Sequence, residues 1–303
     1  MKTPLEKRIL NSLKKPKTLE ELVENLNSEP KRILDEIKKL RRAGYEIVRE
    51  DDYYYFNGKK SEYSQTNVTP INVGKEFKLA FIGDTHIGSK YARLDFLHKF
   101  YDVAKLEGVQ YVIHAGDVID GVGVYPTQTS QLSKFTIDDQ VEEVINFYPN
   151  DINTFFICGN HCLKQYQRGL SIHPGKVISQ QRKDMKWIGD FYARLRLGRS
   201  NVYIDVVHPT GQPAYAISYK LQKYIEKLPS GNKPNILLWG HFHTAMYMSY
   251  RNIHAFQVGC FQDANDLTAR MGIYPVIGGW IIEGKHNGYE ITKLKMWFKE
   301  FYR

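Results

Sequence analysis

Histidine, aspartate and asparagine recur at five places whose order could build a metal site: Asp84-Thr85-His86, Gly116-Asp117, Gly159-Asn160-His161, His208 and Gly240-His241-Phe242-His243. Carboxylate, carboxamide and imidazole groups suit Mn, Fe, Zn or Ni better than Ca. Seven such donors, Asp84, His86, Asp117, Asn160, His208, His241 and His243, are too many for one tetrahedral ion but fit two adjacent ions with Asp117 as a bridge. Two ions roughly 3.5–4 Å apart stabilise the attacking and leaving oxygens of a displacement at phosphorus and lower the pKa of a bridging water, which is the chemistry of phosphodiester hydrolysis. Because free imidazole titrates near neutral pH, a histidine at the place of His161 could donate a proton or a hydrogen bond to the developing charge. A lone histidine is ordinarily a hydrogen-bonded structural residue and Asp-x-His often arises by chance, so the reading rests on all five motifs occurring together.

Each motif follows a short apolar run: Lys78 to Gly83, Gln110 to Ala115, Thr154 to Cys158, Val202 to Val207 and Asn235 to Trp239. Such β-branched and aromatic runs, bounded by Gly, Asp or Asn, predict strands covered on both faces. Ligand sites in α/β sheets form beyond the carboxyl ends of strands, so five separate loops can converge on one crevice. His114, inside the second run, is expected to be a buried hydrogen-bonded residue rather than a ligand.

On these motifs the chain from about Phe77 onward resembles the calcineurin-like metallophosphoesterase superfamily, whose pattern is D-x-H, G-D-x-x-D, G-N-H, H and G-H-x-H. It is most similar to the branch of double-strand-break repair nucleases and archaeal family D polymerase small subunits. The resemblance implies an α/β fold with a two-layered β-sheet core flanked by helices. It implies one ion held by Asp84, His86, Asp117 and His243, a second held by Asp117, Asn160, His208 and His241, and Mn as the preferred metal. By the same resemblance His161 stays free beside the scissile phosphate, and Asp120 supports the ligands from behind. Two departures stand out: Cys162 where many members carry an acidic residue that orients the histidine, and Gly121 where Ser/Thr protein phosphatases carry a phosphate-binding arginine. The second argues against that branch. The run Gly121-Val122-Gly123-Val124-Tyr125-Pro126 resembles the equivalent loop of the polymerase small subunits.

The N-terminal segment has a different texture. Leu5, Ile9, Leu10 and Leu13 share one helical face, Leu19, Leu22, Val23 and Leu26 a second after a Thr18 cap, and Ile33, Leu34, Ile37 and Leu40 a third that Gly44 ends. Strands follow at Tyr45 to Arg49 and Tyr53 to Phe56. This order resembles a winged helix-turn-helix. The domain plan is a winged helix over 1–58, a linker over 59–75 that carries Ser, Gln, Thr, Asn, Pro and Gly with few large apolar residues, and a catalytic domain over 76–303.

Residues 1 to 60 hold 15 Lys/Arg and 11 Asp/Glu, a difference of +4 within a chain of net +9, a balance that favours polyanions. Lys31, Arg32, Lys38 and Lys39 lie off the core positions of the third helix and could meet DNA phosphates; the bland alternative is a solvated face of a protein-contact module. Lys164 and Arg168, just after His161, could track a nucleic-acid backbone, with Tyr125 or Tyr166 stacking an unpaired base. Ala214 to Lys227 reads as a helix whose tyrosines pack inward.

At 303 residues, with 42% hydrophobic and 25% charged residues, the chain suits one sizeable α/β domain plus a small one. It has no apolar stretch of roughly 18–20 residues, MKTPLEKRIL lacks a signal-peptide core, and Cys158, Cys162 and Cys260 form no closed disulfide set. The expectation is a cytoplasmic, nucleoid-associated DNA nuclease with two divalent ions and a bridging hydroxide. Its partner is DNA, not a membrane, with a homodimer or a repair or replication protein as further partners. Two alternatives are a phosphatase or small-molecule phosphodiesterase with a protein-binding N-terminus, and a polymerase- or repair-associated subunit with little catalysis.

Overall fold

The computed structural model describes residues 3–42, 45–50, 52–59 and 68–302. The chain divides into two compact units, Met1–Thr66 and Asn67–Arg303.

In the first unit, α1 (Pro4–Ser12), β1 (Lys17–Thr18), α2 (Leu19–Leu26), α3 (Pro30–Arg42), β2 (Tyr45–Glu50) and β3 (Tyr53–Lys59) follow in order. Capping boxes start the first two helices. Thr3 pairs with Glu6 and Thr18 with Glu21, each hydroxyl accepting the backbone N–H that the first turn leaves open. Ile9, Leu10, Leu13, Leu22, Leu26, Ile33, Ile37 and Leu40 meet in one core closed by Ile47 and Tyr54, so the three apolar stripes do converge. The strands form a sheet in the order β1-β3-β2. The expected helix stop at Gly44 lies outside the described residues.

The second unit carries β4 (Thr69–Ile71), β5 (Glu76–Ile82), α4 (Leu94–Leu106), β6 (Tyr111–His114), α5 (Ile137–Phe147), β7 (Thr154–Ile157), α6 (Asn160–Gln167), α7 (Pro174–Gln181), β8 (Met185–Gly189), β9 (Tyr192–Leu197) and β10 (Tyr203–Val207). After these come α8 (Tyr219–Lys227), β11 (Ile236–Trp239), β12 (Ala245–Tyr250), β13 (Ile253–Val258), α9 (Asp266–Arg270), β14 (Gly278–His286) and β15 (Ile291–Glu300). Two six-stranded sheets form, in the orders β15-β14-β5-β6-β7-β8 and β12-β13-β11-β10-β9-β4. In the first, β5 through β8 are parallel and β14 and β15 antiparallel; the second is mixed.

Side chains alternate across a strand, which explains the uninterrupted apolar runs. Leu79, Phe81, Ile113 and Phe155 point to one layer, where they meet Leu195, Ile204, Val206, Leu238 and Phe256 of the other sheet. Ala80, Ile82, Val112 and Phe156 point the other way, onto Phe96, Leu97 and Phe100 of α4, Val141 and Val144 of α5 and Ile178 of α7. On the far face of the second sheet, Leu221 and Ile225 of α8 cover Val207, Leu237 and Ala255. Two sheets thus pack face to face between helices.

Two expectations need correction. The linker expected over 59–75 is too long at both ends: β3 includes Lys59, and Thr69–Ile71 pairs with Leu195–Leu197 of β9. The helix expected from Ala214 begins only at Tyr219, leaving Tyr215 and Tyr219 exposed, while Tyr224 packs on Trp239. In the preceding loop Gly211 O accepts from His241 Nε2 and Ile217 O from Gln257 Nε2, contacts to residues distant in sequence.

Candidate metal centre

The five motifs sit where β5, β6, β7, β10 and β11 end, three in one sheet and two in the facing one. Their loops turn back toward a common point. Eight non-glycine residues among those described have positive φ, and five of them are Asp84 (52°), His86 (46°), Asp117 (52°), His241 (78°) and His243 (55°). Such a conformation costs an L-residue of order 1–3 kcal/mol, and it persists only where the surroundings dictate it. Here backbone bonds lace the loops: Asp84 N–H to Gly116 O at 2.8 Å, His86 N–H to Asp117 O at 3.1 Å, and His241 N–H to both Asp84 carboxylate oxygens. Gly159, at φ 94°, lets the Asp117 carboxylate pass so closely that a Cβ there would lie 2.3 Å from its Oδ1.

The side chains then meet atom to atom. Asp84 Oδ1 lies 3.5 Å from His243 Nε2 and 3.9 Å from His86 Nε2, and the two Nε2 atoms are 3.0 Å apart. Asp117 Oδ2 lies 3.0 Å from His208 Nε2, which is 3.1 Å from Asn160 Oδ1, and His241 completes that group. Donors about 3.0–3.4 Å apart are what a shared ion with bonds of about 2.0–2.1 Å requires. Asp117 belongs to the group with His208 and His241 and also to one with His86 and His161, so it stands between the two halves.

Outer hydrogen bonds decide which nitrogen faces inward. His86 Nδ1 donates to Asp120 Oδ1 at 2.9 Å, His208 Nδ1 to Ala115 O at 2.8 Å and His241 Nε2 to Gly211 O at 2.9 Å. In each neutral ring the opposite nitrogen therefore keeps its lone pair, as metal-binding histidines do. Asp117 Oδ2 finds no hydrogen-bond donor, and His243 Nδ1 also has no partner. Lone pairs thus face one another in a buried place, and only a positive charge between them relieves that. In the bare protein a proton fills the role. Burial would push the imidazoles of His86 and His208 down, but Asp120 raises the first to about 10 and Asp117 raises the second to about 9. Burial likewise opposes ionisation of Asp84, yet His243 and His86 hold its carboxyl well below the usual range; His208 and His161 do the same for Asp117. His241 and His243 are pushed down chiefly by burial, the first to about 4, so they offer free lone pairs at neutral pH. The residues therefore fit divalent ions.

Asp120 sits behind this ring, 1% exposed. His161 Nδ1 reaches the Asp120 backbone carbonyl at 2.7 Å and its Oδ1 at 3.5 Å. Orientation of His161 thus comes from Asp120, while Cys162 is buried packing with Sγ against Ile119 O. Gly121 holds no side chain because a Cβ would lie 2.1 Å from His161 O. His114 is buried as expected, bonded to Thr85 Oγ1 and Gly116 N–H. A separate group of Cys158, His173 and Asp190 looks similar on paper, but both His173 nitrogens are used, one toward Asp190 and one by Lys176 N–H.

A cavity of about 290 Å³ opens over the donors. Asp117, Asn160 and His161 lie on its wall with Tyr125, Phe242, Leu267 and Met271. Sequence reasoning gave no signal for Leu267 and Met271, which belong to a five-residue helix and its end far from any motif. Lys164 and Arg168 do not line it, and among the described residues no lysine or arginine does. Arg168 instead reaches Gly123 O, and Tyr166 lies against the His173 ring, so of the two expected stacking tyrosines Tyr125 is the one at the cavity. In the first unit Lys31 and Arg32 are exposed, whereas Lys38 and Lys39 pair with Asp35 and Glu36.

Residues 77–245, more than half the chain, match the calcineurin-like phosphoesterase family, and the chain belongs to that family. Its curated relatives include the DNA polymerase II small subunit of Methanocaldococcus jannaschii, 28% identical over 68% of this chain and 42% of the relative. The protein of the same name from Methanothermobacter thermautotrophicus is 26% identical over 80% of this chain and 61% of the relative. The chain spans about half the length of the curated relatives it matches. A solved structure of an archaeal phosphodiesterase aligns with 74% of this chain and 100% of its own at 14% identity, with a TM-score of 0.42. Members of the family use divalent metals, and the Asp/His clusters supply donors for them.

The crowding at Gly159 yields a direct expectation. Gly159→Ala should displace Asp117 and weaken Mn binding by roughly 10–100-fold, as changes beside a ligand commonly do. Calorimetric titration of metal into the variant checks it, with a thermal melt confirming the fold; wild-type affinity would show that the close approach does not set the position of Asp117.

Proposed function

We propose that the chain is a metal-dependent phosphodiesterase acting on DNA. The observation that supports this most is the meeting of seven donors from five strand ends with their lone pairs turned inward. Asp84, His86, Asp117 and His243 would hold one divalent ion and Asp117, Asn160, His208 and His241 a second, with Mn preferred and Fe, Zn or Ni also suited. When bound, such ions lower the pKa of water and stabilise charge on the phosphoryl oxygens. Asp117 would fix the spacing of the two halves. His161 would donate to the oxygen that leaves, because its Nδ1 is committed to Asp120 O while the ring borders the cavity. With no lysine or arginine among the described lining residues, the phosphate charge is left to the centre and His161, and the apolar wall with Tyr125 suits a sugar or base beside the scissile bond.

The first unit, read as a winged helix over residues 1–58, would tether DNA through Lys31 and Arg32. Its element order and three-stranded sheet support that reading, and the ion pairs of Lys38 and Lys39 make those two the lesser contributors. Both curated relatives named above are polymerase small subunits rather than repair nucleases. That favours, as a second reading, a DNA-associated subunit that joins a replication protein, alone or as a homodimer, in the cytoplasm at the nucleoid. Among the described residues no helix is long and apolar enough to cross a membrane.

His161→Ala should retain bound metal yet lower kcat by roughly 10²–10⁴ on DNA, with a much smaller loss on a chromogenic phosphodiester whose nitrophenolate leaves without a proton. Metal analysis together with turnover decides this, and full turnover of DNA in the metal-loaded variant would remove His161 from the chemistry. If the second reading holds, the wild type itself turns over neither substrate with Mn, Mg or Zn. Neutralising Lys31 and Arg32 together should weaken duplex binding and flatten its salt dependence by roughly one unit of slope per lost contact, with chromogenic turnover unchanged. Binding isotherms at several salt concentrations measure the slope; an unaltered slope would favour a protein-contact role for this unit.

A further inference from the structure

Gln128 is completely buried in the loop that follows Asp120, and every polar atom of its carboxamide is used. Nε2 donates to Asp120 O at 2.8 Å and to Asp120 Oδ2 at 2.9 Å, while Oε1 accepts Val124 N–H at 2.8 Å. One side chain therefore grips three things together: the carboxylate that orients His86, the carbonyl that receives His161 Nδ1, and the loop that carries Val124 and Tyr125 into the cavity wall. We infer that Gln128 is a positioning residue that aims His161 at the leaving oxygen through Asp120. This rests on the phosphodiesterase reading.

The chemistry favours a carboxamide here. Asp120 Oδ1 is occupied by His86, with Gln262 Nε2 a weaker neighbour at 3.4 Å, so Oδ2 has Gln128 as its donor. Two N–H groups on one rigid plane reach both Oδ2 and the main-chain oxygen of the same residue, which fixes the Asp120 side chain relative to its own backbone. Rotation of that carboxylate would move the two imidazoles independently. A methionine keeps the length but supplies neither donor. A glutamate keeps the shape but turns an acceptor toward two acceptors. Gln140 holds the adjacent Gly121 at both its N–H and its carbonyl, so the loop path survives a change at 128.

Gln128→Met and Gln128→Glu are compared with wild type in the full-length, Mn-loaded protein, each checked by thermal melt and metal content. Metal content should stay normal. The kcat on a dinucleotide, whose alkoxide needs a proton, should fall roughly 10-fold with KM unchanged, and on bis(p-nitrophenyl) phosphate it should barely move. In a His161→Ala background the same substitutions should have no further effect. Equal losses on both substrates, or the same loss without His161, would overturn the assignment while leaving phosphodiesterase activity standing. Wild-type inactivity on both substrates would instead remove the phosphodiesterase reading. An activity-free measurement stands beside these: the His161 Nδ1–H resonance should exchange with solvent faster in Gln128→Met, and an unchanged exchange rate would contradict the clamp.

Discussion

Buried carboxylate and imidazole groups turned toward one another, which only a positive charge between them can reconcile, are the constraint on which this structure turns. Asp117 Oδ2 and His208 Nε2 lie 3.0 Å apart, as do the Nε2 atoms of His86 and His243. In low dielectric such contacts are repulsive unless a positive charge intervenes. The protein holds them there at the expense of strain, since five of the seven donors sit on backbone in the left-handed region. A fold does not maintain that arrangement for packing, because apolar residues of similar size would satisfy the same space without unpaired groups.

The rest of the architecture can be understood as what keeps the loops in place. Two sheets buried face to face supply rigid strand ends, and parallel neighbours put those ends on one side. Behind the donors, carbonyls and carboxylates fix each ring: Ala115 O for His208, Gly211 O for His241 and Asp120 for His86. Asp120 also carries His161 on its carbonyl, so the group proposed to move a proton and a group proposed to hold metal share one support. Buried glutamines 128, 140 and 262 bind that support and its loop, a polar network in which each amide is bonded.

Much of this was legible in the residues. The five apolar runs became the five strands, because alternation over two apolar layers leaves few other ways to bury them, and the helical stripes of the first unit converge as their spacing requires. His161 and the seven donors come together because each motif ends a strand. Other features left no mark in the sequence. Glutamines 128, 140 and 262 follow no period, and their role depends on where a long loop returns. The cations Lys164 and Arg168 follow His161 closely in sequence, but α6 carries them away from the cavity, since nearness along a helix is not nearness to its first turn. The helix expected from Ala214 starts only at Tyr219, and its approach loop bonds instead to His241 and Gln257, partners distant in sequence.

Membership of the calcineurin-like phosphoesterase family and an inward-facing donor set point to the same chemistry, whereas the names of the relatives concern longer proteins. The claim on which the account depends is that Asp117 joins two metal positions. Counting Mn bound per chain by equilibrium dialysis and elemental analysis, in wild type and in Asp117→Ala, tests it most directly. The account predicts two ions in the wild type and the loss of both in the variant, with His243→Ala losing only one. Two ions retained after Asp117→Ala, or no Mn bound by the wild type at any concentration up to the millimolar range, would contradict it.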